Sequence, residues 1–240
     1  MSYTHKHSMN NTKYSYKSIP IFADSEDPHK IITKQIEESL PNGGSVLDLG
    51  AGAGALSQRL MDLGCRVTAA DLNEATFLAN GEFITVNLNE NFLGKFGNKK
   101  YDCIVASEVL EHLDNPLRFL SMVRELLTDS GFIIISFPNI YIYTAIISFL
   151  RGGSFVNWDV QHYWQTGHKT ILPDWLFEQH CKKSDLVVVN KIFCSKIPFP
   201  KSMVKRLAIR LFLKLIRVVS KGVTYQMRTS DNVIFKVVKK

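Results

Sequence analysis

The chain has 240 residues, 45% of them hydrophobic, and its 29 Lys and Arg against 22 Asp and Glu give a formal net charge of +7. That length suits one domain with additions and allows a sizeable core. The four cysteines, Cys65, Cys103, Cys181 and Cys194, show no C-x-x-C pair and no metal-ligand spacing, so they read as reduced, mostly buried thiols of a cytoplasmic protein rather than a disulfide framework or a thiolate site.

Residues 1–27 are polar and lack the apolar stretch of a secretory leader, so they read as a flexible N-terminal arm or a lid. His5 and His7 there suit a solvated tail better than a metal site, and Tyr14 and Tyr16 are placed to fold over a ligand. Residues 28–240 read as the main domain. From Pro28 to Leu40, Ile31, Ile32, Ile36 and Leu40 recur between charged residues as in an amphipathic helix, which Pro41-Asn42-Gly43-Gly44 ends. Val46 to Leu49 is a buried strand that stops at glycines, with a helix starting near Ala55. Arg66–Asp71 reads as the next strand, Asn73–Asn80 as a short helix, Phe83–Asn87 as a third strand and Asn91–Lys100 as a loop. Pro116–Thr128 is a helix with Leu117, Leu120, Val123 and Leu126 on one face, set between two further strands. This alternation predicts a parallel sheet with crossover helices and ligand residues at the carboxyl ends of the strands.

Ile140–Leu150 is apolar but far short of the roughly 20 residues that span a bilayer. The aromatic and histidine-rich stretch Trp158–Thr170 falls in a substrate-side insertion at 140–170, and is either part of the substrate site or an aromatic plug. A helix over Leu172–Ser184 and strands over Asp185–Lys196 and Asp231–Val238 follow. Between those strands, residues 201–221 form a basic amphipathic helix, and no acidic residue occurs between Asp185 and Asp231. Such a helix suits peripheral contact with the inner membrane face; packing on its own domain or on a second subunit is the plainer alternative, and nucleic acid is the least favoured.

The glycine corner suits a nucleotide ligand, and by itself Gly50, Gly52 and Ala55 also fit the dinucleotide fingerprint. Gly50, Gly52 and Gly54 let a ligand lie against bare main chain, and the helix that follows supplies free N–H groups. Asp71, about 20 residues on, suits two ribose hydroxyls. Asp48, beside the turn, would repel a pyrophosphate but suits the amino end of a methionine moiety, which favours S-adenosylmethionine over NAD.

Asp48-Leu49-Gly50-Ala51-Gly52-Ala53-Gly54, Asp71, Tyr101–Leu113 and Gly131–Asn139 together resemble the class I S-adenosylmethionine-dependent methyltransferases, over about residues 27–189, and within them the small bacterial enzymes of quinone and surface-polysaccharide synthesis. The resemblance implies an α/β, Rossmann-like, doubly wound, mostly parallel seven-stranded sheet with a last antiparallel strand. It implies S-adenosyl-L-methionine held by Asp48, Gly50, Gly52 and Gly54 at the methionine end, Asp71 at the ribose, Leu72 and Asn87 around the adenine and Ser107 facing the sulfonium. Asn87 departs from the aspartate that relatives often carry. The implied activity is O-methylation of a hydroxyl on a small molecule, a saccharide or a lipid-linked intermediate. An RNA 2′-O-methyltransferase and a non-catalytic module on the same fold are the alternatives.

Methyl transfer to a hydroxyl needs an aligned acceptor and a base. Glu108, Glu111 and His112 follow the strand that begins at Tyr101, and their spacing puts them on one face if a helical turn begins at Glu108. Glu108 and His112 are therefore candidate catalytic residues, and His168 joins them through the resemblance. With Glu111 they also resemble the divalent-metal (Mg or Mn) ligands of ubiquinone-pathway and small-RNA 2′-O-methyltransferases; the same stretch is also common in this fold simply as a cofactor-side turn.

Overall fold

A computed structural model describes residues 13–23, 25–219 and 222–240. His5, His7 and Lys221 lie outside them. The elements in chain order are β1 (Tyr14–Tyr16), β2 (Ile19–Ile21), α1 (Asp27–Ser39), β3 (Ser45–Leu49), α2 (Ala55–Asp62), β4 (Arg66–Asp71), β5 (Glu82–Thr85), β6 (Tyr101–Ser107), α3 (Pro116–Leu126), β7 (Leu127–Pro138), α4 (Tyr143–Gly152), α5 (Val160–Gln165), α6 (Asp174–Lys183), β8 (Leu186–Lys196), α7 (Met203–Val219), α8 (Tyr225–Thr229) and β9 (Ser230–Lys239). The main sheet has the order β5-β4-β3-β6-β7-β9-β8. The strands from β5 to β7 run parallel, while β9 lies between β7 and β8 and is antiparallel to both. The expected mostly parallel seven-stranded sheet with an antiparallel last strand is thus present.

Successive strand residues face opposite sides of a sheet, and the central strands carry apolar residues on both. Val46, Cys103, Val105, Phe132, Ile134 and Ile234 pack with Ile32 and Ile36 of α1 and Leu56 and Leu60 of α2. Leu47, Leu49, Ile104, Ala106, Ile133, Ile135, Val233 and Phe235 pack on the other face with Phe119, Leu120 and Val123 of α3 and Phe177 of α6. Burial on both faces is what a parallel sheet between helix layers requires. The four cysteines are buried and free.

Two expected elements differ. Asn73–Asn80 is not a helix but a single 3-10 turn at Glu74–Thr76, capped by the Asn73 side chain. The chain is pulled straight beyond it, because the Leu78 N–H donates to the Ala53 carbonyl over 3.0 Å and Phe77 and Ala79 press against Gly54. The loop 91–100 holds a 3-10 turn at Leu93–Lys95, around which Phe92 and Phe96 plug the core against Phe119 and Tyr101. Tyr14 and Tyr16 belong to the β1–β2 hairpin, whose Ile19 and Ile21 pack on Ala53 and Ala55 beside the glycine corner.

Candidate active site

The corner between β3 and α2 is shaped by backbone. Gly50 and Gly54 have φ of 77° and 90°, a region that only glycine enters cheaply. A Cβ on Gly50 would stand 2.4 Å from Val109 Cγ2, and one on Gly54 would stand 2.6 Å from the Phe77 ring. The Gly50 and Ala51 N–H groups donate to the Ala70 carbonyl at 2.8 and 3.2 Å, which fastens the turn to β4.

Asp71 ends β4 with its carboxylate in the corner. Its Oδ2 accepts from the Gly52 N–H at 2.8 Å and its Oδ1 from the Leu72 N–H at 2.6 Å. Leu72 is exposed beside it. Asp48 lies beneath the turn, for it shares the β3 face of Val46 and so points at α2. It is 2% exposed, and its Oδ2 accepts from the Ser57 hydroxyl at 2.6 Å. Burial pushes its carboxyl up to about 6, against the Ser57 hydrogen bond and with help from the Asp71 charge. Asn87 is half-buried after β5 and its amide is engaged locally: Oδ1 accepts from the Asn89 N–H at 3.1 Å and Nδ2 donates to Glu90 at 2.8 Å. Phe22, which follows the hairpin, approaches Gly52 from the open side and was not singled out by the sequence; an aromatic residue just before the first helix was its only signal.

At the end of β6 the expected helical turn does not start at Glu108. Glu108 has φ of 55°, left-handed for a non-glycine residue, a conformation that costs about 1–3 kcal/mol unless its surroundings hold it. Three contacts do so. Ser136 on β7 donates its hydroxyl to Glu108 Oε1 at 2.8 Å, Asn232 on β9 donates to Oε2 at 2.8 Å, and the Glu108 N–H donates to the Ser136 carbonyl at 3.0 Å. Ser107 joins the same network through Ser136, hydroxyl to hydroxyl, at 3.0 Å. The helical turn begins two residues later, a 3-10 turn at Leu110–His112, so Glu108 does not share a face with Glu111 and His112. Ser136 and Asn232 were missed because each reads as an ordinary strand residue and only the sheet order brings β9 beside β7.

The other three residues of the expected tetrad do meet. Ligand atoms of Glu111, His112 and His168 lie within 4.8 Å of one another, and the two imidazole rings are 4.9 Å apart. The stretch after α5 is fastened there by hydrogen bonds: the Lys169 and Thr170 N–H groups donate to the Glu111 carbonyl at 2.8 and 3.0 Å, and the Thr170 hydroxyl donates to the Leu113 carbonyl at 2.5 Å. Trp158 Nε1 donates to the Thr170 carbonyl at 3.1 Å. His168 Nδ1 faces the Asn157 carbonyl at 3.0 Å. A carbonyl only accepts, so Nδ1 bears a proton, and in the neutral ring the lone pair sits on Nε2. Glu111 is 1% exposed, its Oε2 finds no hydrogen-bond donor among the described residues, and burial and the Glu108 charge hold its carboxyl well above the usual range. His168 also lines a cavity of about 550 Å³ with Trp158, Asp159, Tyr163, Trp164 and Lys169. The aromatic stretch Trp158–Lys169 thus supplies most of the lining of that cavity, next to His168.

A family model described as a methyltransferase domain matches residues 25–190. The chain belongs to this methyltransferase-domain family, in the S-adenosylmethionine-dependent class. It is 34% identical over 109 residues to a ubiquinone biosynthesis O-methyltransferase of Glaesserella parasuis, covering 40% of this chain and 46% of that protein. It is 27% identical over 196 residues to the mitochondrial ubiquinone biosynthesis O-methyltransferase of Dictyostelium discoideum, covering 70% and 61%. The chain thus spans about half the length of the curated relatives it matches. Among solved structures, a SAM-dependent methyltransferase from Archaeoglobus fulgidus shares the fold with a TM-score of 0.59 at 18% identity, covering 88% of this chain and 94% of that one.

Proposed function

We propose that the protein transfers the methyl group of S-adenosylmethionine to a hydroxyl of a saccharide or other small molecule, carried on a lipid at the inner membrane face. The observation that carries this reading is the meeting of His168 with Glu111 and His112 at the edge of the cavity that Trp158, Tyr163 and Trp164 line. Cofactor fit is supported by the glycine turn, where no side chain has room at Gly50 or Gly54. Gly50, Gly52 and Gly54 would hold the methionine end with Asp48 acting from beneath, Asp71 the ribose, and Leu72 and Asn87 the adenine surroundings. Ser107 would face the sulfonium.

The cofactor supplies an electrophilic methyl carbon. The chain's own task is to align the acceptor oxygen and take its proton. Trp158, Tyr163 and Trp164 offer flat apolar faces to a ring, and Asp159 and Lys169 offer polar contacts to its substituents. His168, with its lone pair on Nε2, accepts the hydroxyl proton, and His112 lies against it. Glu108, tied to Ser136 and Asn232, acts by positioning the end of β6. A lipid-linked acceptor accords with the basic helix α7. The named activity of the ubiquinone O-methyltransferase relatives accords with transfer to oxygen.

A divalent ion at Glu111, His112 and His168 is a second reading, favoured by the orphaned Glu111 Oε2 and the mixed nitrogen and oxygen donor set. Bound there it would polarise the acceptor hydroxyl, with Glu111 ionised and His168 a ligand through Nε2. The test begins with calorimetry of S-adenosylhomocysteine against NADH. Micromolar binding of the former alone is expected, and binding of NADH alone would overturn the cofactor assignment. Turnover with lipid-linked sugars, followed with and without EDTA, then separates base from ion: a rate that survives EDTA supports the base, and one lost to EDTA and restored by magnesium or manganese supports the ion.

A further inference from the structure

Helix α7 is apolar on two sides, and the fold uses one of them. Leu213 is buried, and with the half-buried Ile209 and Phe212 it packs on Ile142, Tyr143 and Ala145 around α4 and on Ile197 and Phe199. The guanidinium of Arg228, itself 2% exposed, donates to the Leu213 and Ile216 carbonyls, each at 3.4 Å. The helix is therefore fastened to the domain by its inner side and its backbone. On its outer side Val204, Leu207, Leu211, Leu215 and Val218 follow one another at three- and four-residue spacing, which lines them up along one stripe. All five are 57% to 82% exposed. Arg206, Arg210, Lys214 and Arg217 have the same spacing and form a row alongside. Among the described residues none of these cations pairs with a carboxylate, and the sequence provides no acid between Asp185 and Asp231.

An exposed apolar stripe beside an uncompensated cation row needs an occupant that is apolar and anionic at once. A second copy docking the same face by a two-fold axis would set cation row against cation row. Nucleic acid would answer the charges and leave the leucines in water. The interface of an anionic bilayer meets both demands, with the apolar stripe at the acyl boundary and the ammonium and guanidinium groups at phosphate level. We infer that α7 is a preformed docking surface for anionic lipid, lying in the membrane plane with Val204, Leu207, Leu211, Leu215 and Val218 inserted. The inference deepens the lipid-linked reading of the acceptor but does not need the methyl transfer itself. No described helix is long and apolar enough to cross a membrane, so docking through α7 is peripheral.

The experiment is flotation of the full chain with phosphatidylcholine vesicles, with and without phosphatidylglycerol. The expected result is binding to the phosphatidylglycerol vesicles that weakens as salt rises. Leu211→Gln with Leu215→Gln should lower the partition coefficient about tenfold or more. Arg210→Glu with Lys214→Glu should erase the preference for the anionic vesicles. All four residues are exposed, so unchanged thermal unfolding and S-adenosylhomocysteine binding are expected of both variants. The proposal is overturned if the unsubstituted chain stays with the buffer, if the two glutamines leave flotation unchanged, or if the chain binds RNA in a salt-dependent way and not vesicles. Any of these leaves the calorimetric test of the methyltransferase reading standing.

Discussion

Between Ser45 and Asp71 one β–α–β unit shapes the cofactor corner, whereas the acceptor side is stitched from distant pieces: the Leu113 carbonyl and the Thr170 hydroxyl that bind it are 57 positions apart. The corner depends on backbone conformation, through Gly50, Gly54 and the two N–H groups that bond Ala70. The other region depends on side chains: Glu111, His112 and His168 converge, and His168 also lines the cavity walled by Trp158, Tyr163 and Trp164.

Substitutions that separate the two regions test this division. The largest effect is expected from Gly50→Ala, which adds a Cβ at positive φ and 2.4 Å from Val109 Cγ2. Calorimetry should show S-adenosylhomocysteine binding lost, and denaturant unfolding a loss of roughly 2–4 kcal/mol. Adding Val109→Ala should recover part of that stability; no recovery would mean that the clash is not the cause. His168→Ala works from the other side. It should lower kcat by about 10²–10⁴ while calorimetric cofactor binding stays within about twofold, and an equal loss in both would break the division.

A third effect is a pH dependence. Asp48 titrates at about 6 in the folded chain against 3.8 for the free group, so the folded state holds the extra proton. Its contribution to stability is complete below about 4 and is lost as pH rises through about 6, to a total of roughly 3 kcal/mol. Denaturant midpoints of Asp48→Asn against the unsubstituted chain should therefore diverge between pH 4 and 6.5, with the variant gaining relative stability as pH rises. Parallel curves would show that Asp48 is not held protonated beneath the turn.

How much of this was legible in the sequence follows the same line. The β3 strand, the glycine turn and Asp71 were readable because a buried apolar run and positive φ leave direct marks on residue choice, and strand side chains alternate with a period of two. The same period places Asp48 with Val46 on the α2 face, under the turn. Spacing put Glu108 on one face with Glu111 and His112 only if a helical turn began there, and spacing alone cannot show the left-handed residue that Ser136 and Asn232 hold. The approach of His168 to His112 was suggested by resemblance and not by pattern, since nothing local joins positions 112 and 168. Asn73–Asn80 failed as a helix because the Leu78–Ala53 hydrogen bond, a tertiary contact, outweighs local preference.

The place of β9 orders the assembly of the molecule in time. On a ribosome β8 emerges before β9, yet β8 joins the main sheet only through β9. The nascent chain can therefore complete the β–α–β corner early, while β8 waits for Ser230–Lys239 to arrive before it joins the sheet. Asn232 arrives with that strand and closes the clamp on Glu108. The end of β6 is thus set only when synthesis has passed β9.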